Sequence, residues 1–314
     1  MTTTLPVIFI IFNRPDTTRQ VFETIRAARP RKLLVIADGP RANRPGEAEK
    51  CAAARAIVDE VDWDCEVQRN FSETNQGCRL RISSGTTWAF ELVDKAIILE
   101  DDCVPSPSFF AYCADLLDRY ENDERVMMIS GNNFLFGHAE TADSYYFSRY
   151  PHVWGWATWR RAWAKYDVNM TRWPEIRDRK LFDQYFRKIS ERYYWESVFQ
   201  RTYDGKIDSW AYPWVYSIWA NSGLCAAPAQ NLVRNIGFHA EATHTKGDTV
   251  YSSLGAEELG LHLTHPATVL ASSDKDEFEA RLRVTHSKGL LYALNKYFAL
   301  KVLVGRATGH GHNR

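Results

Sequence analysis

Three adjacent carboxylates, Glu100-Asp101-Asp102, close the apolar run that starts at Lys95. Side by side they repel one another, and a hard divalent cation with oxygen ligands is a common compensation. Mg²⁺ or Mn²⁺ at about 2.1 Å keeps coordination positions open for diphosphate oxygens. It would stabilise charge building on a departing nucleoside diphosphate. Taken alone, the triplet could equally be a solvated acidic turn. Two other places share its setting: Asn13-Arg14 follows the apolar run Leu5–Phe12, and Asp38-Gly39 follows Lys32–Ala37. Arg14 could pair with a ribose or a diphosphate, or be a surface cation. Asp38 could accept the N3–H of uracil, or simply open an Asp-Gly turn. Arg79 and Arg81 come after Asn75-Gln76-Gly77. Two cations beyond a glycine turn suit a phosphate site, though an exposed loop reads the same way.

These residues need a scaffold that gathers them. Leu5–Phe12, Lys32–Gly39 and Lys95–Glu100 read as buried strands, Cys65–Gln68 as a short one, and Val126–Gly131 as another. Helical patterns cover Thr17–Ala28, with Asp16 or Thr17 as N-cap, then Glu47–Val61, Ser83–Val93 and Ser108–Glu121. This alternation predicts an α/β fold, a Rossmann-like, mostly parallel sheet with helices on both faces. In such sheets ligands collect at the carboxyl ends of strands, where Asn13-Arg14, Asp38-Gly39 and the triplet all fall. No G-x-G-x-x-G follows the first strand and no G-x-x-x-x-G-K-[ST] occurs, which disfavours dinucleotide and P-loop sites. Beyond Gly131 the stretch Trp154–Trp159 breaks the pattern. Lys180–Asp204 and Trp210–Ala220 read as helices, Asn231–Thr245 as loop and strand, and Tyr251–Glu277 as polar and irregular. Gly289–Val304 reads as an amphipathic basic helix.

Bulk composition sets the limits. The chain has 314 residues, long for one core and short for two. Lys plus Arg equals Asp plus Glu at 39 each, so no global field draws it to nucleic acid. Eleven Trp, with many of the aromatics between Tyr145 and Trp219, provide either sugar-stacking faces or core. Six scattered Cys without a C-x-x-C pair argue against a zinc ribbon and for reduced thiols, hence a cytoplasmic protein. The apolar run at Val7–Phe12 is too short for a signal peptide or a membrane span. The basic segment 288–306 could lie peripherally on an anionic membrane near a lipid-linked acceptor, or pack in a core or dimer.

Residues 5–245 resemble bacterial GT-A sugar transferases, distantly similar to the eukaryotic N-acetylglucosaminyltransferase that initiates hybrid N-glycans. The resemblance rests on Ile11–Pro15, Ile98–Asp102, Phe109-Phe110, Tyr112, Gly155–Trp159, Trp210–Trp214, Asn231–Phe238 and Ala242–Thr245. It implies a metal-dependent, inverting transfer from a UDP-sugar, such as UDP-GlcNAc, to a surface-glycan acceptor. Asp102 would ligate the metal, with Glu100 and Asp101 beside it. Asp38 would read the base, and His244 would reach the metal or diphosphate. The family pattern has an acidic residue between the Trp and Tyr of Trp210–Trp214, the general base that deprotonates the acceptor hydroxyl. Here that position is Ala211. It reads as an inactivating substitution that spares the metal and nucleotide residues, or as a natural variant whose base lies elsewhere. Asp208 and Glu196 are the nearest fallback carboxylates. The expected division is 1–135 for the nucleotide-sugar half, 136–250 for the acceptor and catalytic half, and 251–314 for a helical extension. The alternatives are a retaining transferase that needs no base at 211, a sugar nucleotidyltransferase, and a non-catalytic sugar-binding module. Phe12–Asp16 lacks the glycine-rich loop expected of the nucleotidyltransferase.

Overall fold

The computed structural model describes residues 3–186, 188–238, 251–260 and 262–286. The chain opens with β1 (Val7–Ile11), α1 (Pro15–Ala28), β2 (Lys32–Ala37), α2 (Glu47–Ala56), β3 (Glu66–Phe71), α3 (Cys78–Leu92) and β4 (Lys95–Glu100). It continues with β5 (Cys103–Pro105), α4 (Pro107–Arg119), β6 (Val126–Ser130), β7 (Tyr145–Ser148), β8 (Trp156–Trp159), α5 (Arg160–Trp163) and α6 (Trp173–Asp178). The last elements are α7 (Ile189–Tyr203), α8 (Ala211–Ala220), β9 (Leu224–Pro228), β10 (Val233–Asn235) and α9 (Ser273–His286).

Eight strands form one sheet in the order β3-β2-β1-β4-β8-β6-β9-β7. The first four are mutually parallel, as is the β6–β9 pair. β8 runs antiparallel between β4 and β6, and β7 antiparallel on the far edge. The expected α/β sheet is therefore present, and it runs unbroken across residue 135. Every residue of β1 is buried, because the sheet is covered on both faces and side chains alternate between them. Val7, Phe9 and Ile11 pack with Val21, Phe22 and Ile25 of α1 and with Phe109, Leu116 and Leu117 of α4. Ile8 and Ile10 pack on the other face with Ile82, Ala89 and Phe90 of α3.

That second face also holds most of the tryptophans. Trp156, Trp163, Trp173, Trp195, Trp210, Trp214 and Trp219 are buried there, with Trp156 stacked on Trp210 at 5.4 Å. Most of this aromatic content is core, not sugar-facing surface. Trp154–Trp159, read as a break, instead ends in a central strand. Trp156 points into the tryptophan cluster while Ala157 and Trp159 point to the opposite core.

Other boundaries moved for identifiable reasons. Helix α1 is capped at Arg14, not at Asp16 or Thr17, because Pro15 pre-sets φ for the first helical position. Helix α3 starts at Cys78, five residues early, just after Gly77 at φ 81°. Lys180, in left-handed backbone at φ 53°, ends the expected 180–204 helix before it begins, and α7 starts at Ile189. The stretch read as irregular, Tyr251–Glu277, runs into the first turn of α9. Its inward face is carried by the buried Asp276 and Glu279, so it shows little apolar periodicity. No helix among the described residues is long and apolar enough to cross a membrane. All six cysteines are free. His244 and the segment 288–306 lie outside the described residues.

Candidate active site

Strands β1 and β4 are parallel neighbours, with Ile10 opposite Glu100, so their carboxyl ends lie side by side. This brings Arg14 onto the acidic triplet. Arg14 Nη1 donates to Asp102 Oδ2 at 2.8 Å and lies 3.9 Å from Asp101 Oδ1. Asp101, buried, accepts the Phe12 amide at 3.0 Å. Among the described residues Glu100 takes no hydrogen bond on its carboxylate. Burial, with Asp102 and Asp101 adding to it, pushes the Glu100 carboxyl up to about 8. Burial and Asp102 push Asp101 up to about 7. Among the described residues the three carboxylates thus have one guanidinium, Arg14, within ion-pair distance of Asp101 and Asp102.

A late segment is strapped to the same spot. β10 runs antiparallel to β5, pairing Asn235 with Cys103, and the Ile236 amide donates to the Asp102 carbonyl at 2.8 Å. Gly237 then passes so close that a Cβ there would stand 2.1 Å from Asp102 Oδ2, so only glycine fits without moving the carboxylate. Phe238 follows and packs edge-on against Trp154 at 5.4 Å. Gly237 was not singled out from sequence, although the Asn231–Phe238 motif contained it.

The amino ends of α3 and α8 meet at Cys78. The Trp210 amide is directed at the Cys78 sulfur, and burial followed by the charges of Glu100 and Asp208 pushes that thiol upward. Asp208 Oδ1 accepts the Arg79 amide at 3.2 Å, capping α3 from outside the helix. Ala211, half-buried, is the first residue of α8 and follows directly on the Trp210 amide that meets Cys78. Trp210 and Trp214, expected to present sugar-stacking faces around 211, turn inward to the core, whereas Tyr212 stays half-buried.

Several expected site residues serve the scaffold instead. Asp38 Oδ1 accepts from the Gly39 and Gln76 amides, both at 2.9 Å. Its Oδ2 accepts from Asn75 Nδ2 at 3.0 Å and the Gly77 amide at 3.1 Å. These donors fill the carboxylate's capacity, so Asp38 holds the 75–77 turn rather than presenting a free acceptor to uracil. Arg81 is buried and tied to the Ala37 carbonyl at 3.1 Å and to Asn70 Oδ1 at 2.7 Å, which removes it from a phosphate role. Arg79 enters through its backbone. Asn13 Nδ2 donates to the buried Glu47 at 2.9 Å. Glu196 pairs with Arg192 at 3.4 Å and feels Asp183 and Lys180, a setting apart from the triplet.

Among the described residues no three His, Cys, Asp or Glu side chains converge as a closed metal cage. A hard cation bound through one or two carboxylates and completed by substrate phosphates needs no such cage. Asp102, with Asp101 behind it, fits that arrangement, and Arg14 already sets a positive charge against both.

No family model matches the chain, and no curated protein does. Solved structures with partial likeness include S. aureus TarS residues 1–349, at 8% identity and TM-score 0.39, covering 74% of this chain and 59% of that one. The galactosyltransferase LgtC with donor and acceptor sugar analogues gives 14%, 0.30, 56% and 65%. A UDP-glucose pyrophosphorylase complexed with UDP-glucose gives 8%, 0.25, 41% and 56%. The chain thus spans between 56% and 65% of the lengths of these chains. At such scores the functional assignment rests on the chain's own geometry.

Proposed function

We propose that this protein is built as a metal-dependent GT-A glycosyltransferase that takes a nucleoside-diphosphate sugar as donor and a glycan hydroxyl as acceptor. The observation that carries the reading is the convergence of Glu100, Asp101 and Asp102 on Arg14 at adjoining strand ends. Asp102 would hold Mn²⁺ or Mg²⁺, and the cation would supply charge neutralisation for the departing diphosphate. Arg14 would move from Asp102 toward the phosphates once the cation shares its carboxylates. Uridine as the base follows from the family resemblance, now without Asp38 as its reader. His244 stays a proposed late-chain ligand.

Position 211 suits a base. The amino end of α8 carries positive backbone potential that favours a carboxylate. It follows the Trp210 amide that meets Cys78, a thiol that also feels Glu100, and an inverting displacement would need a base there to face the triplet across a bound sugar. Ala211 supplies none. The chain should therefore bind donor well and transfer slowly. Asp208, committed to the Arg79 amide, is the one nearby carboxylate with partial claim to the role.

Donor hydrolysis with and without Mn²⁺ tests the proposal. Slow, Mn²⁺-dependent release of UDP from a UDP-sugar supports it. Conversion of the UDP-sugar into UTP and a sugar 1-phosphate when pyrophosphate is supplied would instead indicate a nucleotidyltransferase. Sugar binding without any nucleotide binding would indicate a lectin-like module.

A further inference from the structure

Helix α9 was not read from sequence, yet it carries Arg283 to Trp195, which packs edge-on against Tyr194 at 5.3 Å and against Tyr212, the neighbour of position 211, at 6.5 Å. Tyr194, Tyr251 and Glu279 all lie within electrostatic reach of Arg283. Its guanidinium lies 5.7 Å from the Tyr150 ring centre and 5.3 Å from that of Trp195. Tyr251 packs edge-on against Trp154 at 6.1 Å, and Trp154 against Phe238, the neighbour of Gly237 and hence of Asp102. The sequence Phe238, Trp154, Tyr251, Arg283, Tyr194, Tyr212 thus arcs from the acidic triplet to position 211. All six are half-buried, so each keeps an outward surface.

The arc is rich in donors. Three phenols and a guanidinium meet within it, and among the described residues Arg283 Nε is buried with no hydrogen-bond partner. The carboxylate beside it, Glu279, is turned elsewhere: its Oε2 lies 2.7 Å from His152 Nε2, and its Oε1 accepts from the Tyr146 hydroxyl at 3.4 Å. Arg201 adds a further positive charge toward Tyr212. Aromatic rims suit sugar faces, and a guanidinium with phenol donors suits an oxyanion.

We infer that this arc is the acceptor subsite, and that the acceptor is a saccharide carrying a carboxylate or phosphate held by Arg283 with Tyr194, Tyr212 and Tyr251. The inference rests on the glycosyltransferase reading above and names its second substrate class. Trp154 and Phe238 would guide the acceptor's sugar ring toward the donor, and the anionic group would anchor it at the α9 end.

The test titrates a neutral glucose disaccharide and its glucuronate and 6-phosphate counterparts into the full chain, with UDP plus Mn²⁺ measured separately. One or both acidic sugars should bind at least about tenfold tighter than the neutral one, the scale of one charge-assisted contact. Whichever acidic sugar is preferred identifies the anion. Arg283→Gln should erase the preference while UDP affinity stays within about twofold, since Arg283 is not in the triplet. Tyr251→Phe, which removes one hydroxyl and keeps the ring, should weaken the acidic sugar a few-fold and leave the neutral one unchanged. Equal binding of all three sugars, or a preference that survives Arg283→Gln, overturns the inference. If Arg283→Gln loses its fold by circular dichroism, Tyr251→Phe decides, and an unmoved preference there overturns it. Failure of UDP to bind, with acidic-sugar selectivity intact, would sink the transferase reading and leave an anionic-sugar site standing.

Discussion

Two clusters of carboxylates in this molecule are neutralised very differently. Under α9, Asp276 accepts from Ser148 Oγ at 2.6 Å and Arg149 Nε at 2.9 Å. Glu279 faces His152, and Glu191 takes the Tyr150 hydroxyl. Asp276 is held by a cation and a hydroxyl, Glu191 by a hydroxyl, and Glu279 has the His152 imidazole against it and the Tyr146 hydroxyl on its other oxygen. At the end of β4, three acids share Arg14, and Glu100 accepts no hydrogen bond from the described residues. The contrast teaches that the number of buried acids says little. Acids that share one guanidinium suit a site for a cation, and acids with separate partners suit a docked helix.

The comparison can be sharpened most strongly at position 211. Ala211→Asp places a carboxylate at the amino end of α8. With a competent donor and acceptor it should raise transfer by about 10²–10⁴-fold, the usual worth of a positioned base, and barely change UDP affinity. A flat rate would move the base to Asp208.

The paired cluster should fail as structure. Asp276→Ala strands Arg149 in the interior and should cost about 3–5 kcal/mol of stability by urea denaturation. Glu100→Gln, in the under-compensated cluster, should leave stability unchanged or raise it. Equal losses for the two would break the distinction.

Arg14→Ala should act with opposite signs on two ligands. Mn²⁺ without nucleotide should bind tighter, because Asp102 loses a competing cation, while UDP with Mn²⁺ should bind about tenfold weaker for want of a phosphate partner. Electron paramagnetic resonance of free Mn²⁺ and calorimetry of UDP read the two separately. Changes of the same sign would show that Arg14 only supports the fold.

The smallest effect is on pH. The folded protein holds protons on Glu100 and Asp101 that the unfolded chain has already released, between the ordinary carboxylate range and about 7–8. Stability of the cation-free protein should therefore fall as pH rises through that window. Thermal unfolding at about pH 5.5 and about pH 8.5 should show it, and Glu100→Gln should flatten the slope.

The parallel half of the sheet was legible because strands covered on both faces read as continuous apolar runs, as in β1, β2 and β4. Their carboxyl ends then brought Arg14 and the triplet together by topology. What stayed hidden lacked a local signal. Helix α9 buries acids where a helix normally shows apolar residues. Asp38 and Arg81 have the types and places of ligand residues, but apart from the adjacent Gly39 amide their partners lie 37 to 39 residues away for Asp38 and 11 or 44 for Arg81, which no local pattern shows. Of the tryptophan-rich motifs, Trp210 and Trp214 proved to be core because α8 turns them into the sheet's second face.

Calorimetric titration of UDP, with and without Mn²⁺, into the unaltered protein and Asp102→Ala tests the central claim most directly. The account predicts that Mn²⁺ strengthens UDP binding in the unaltered chain and that Asp102→Ala, still folded, loses that gain, because the cation bridges two anions. UDP affinity that is the same in both proteins with Mn²⁺ present would contradict it.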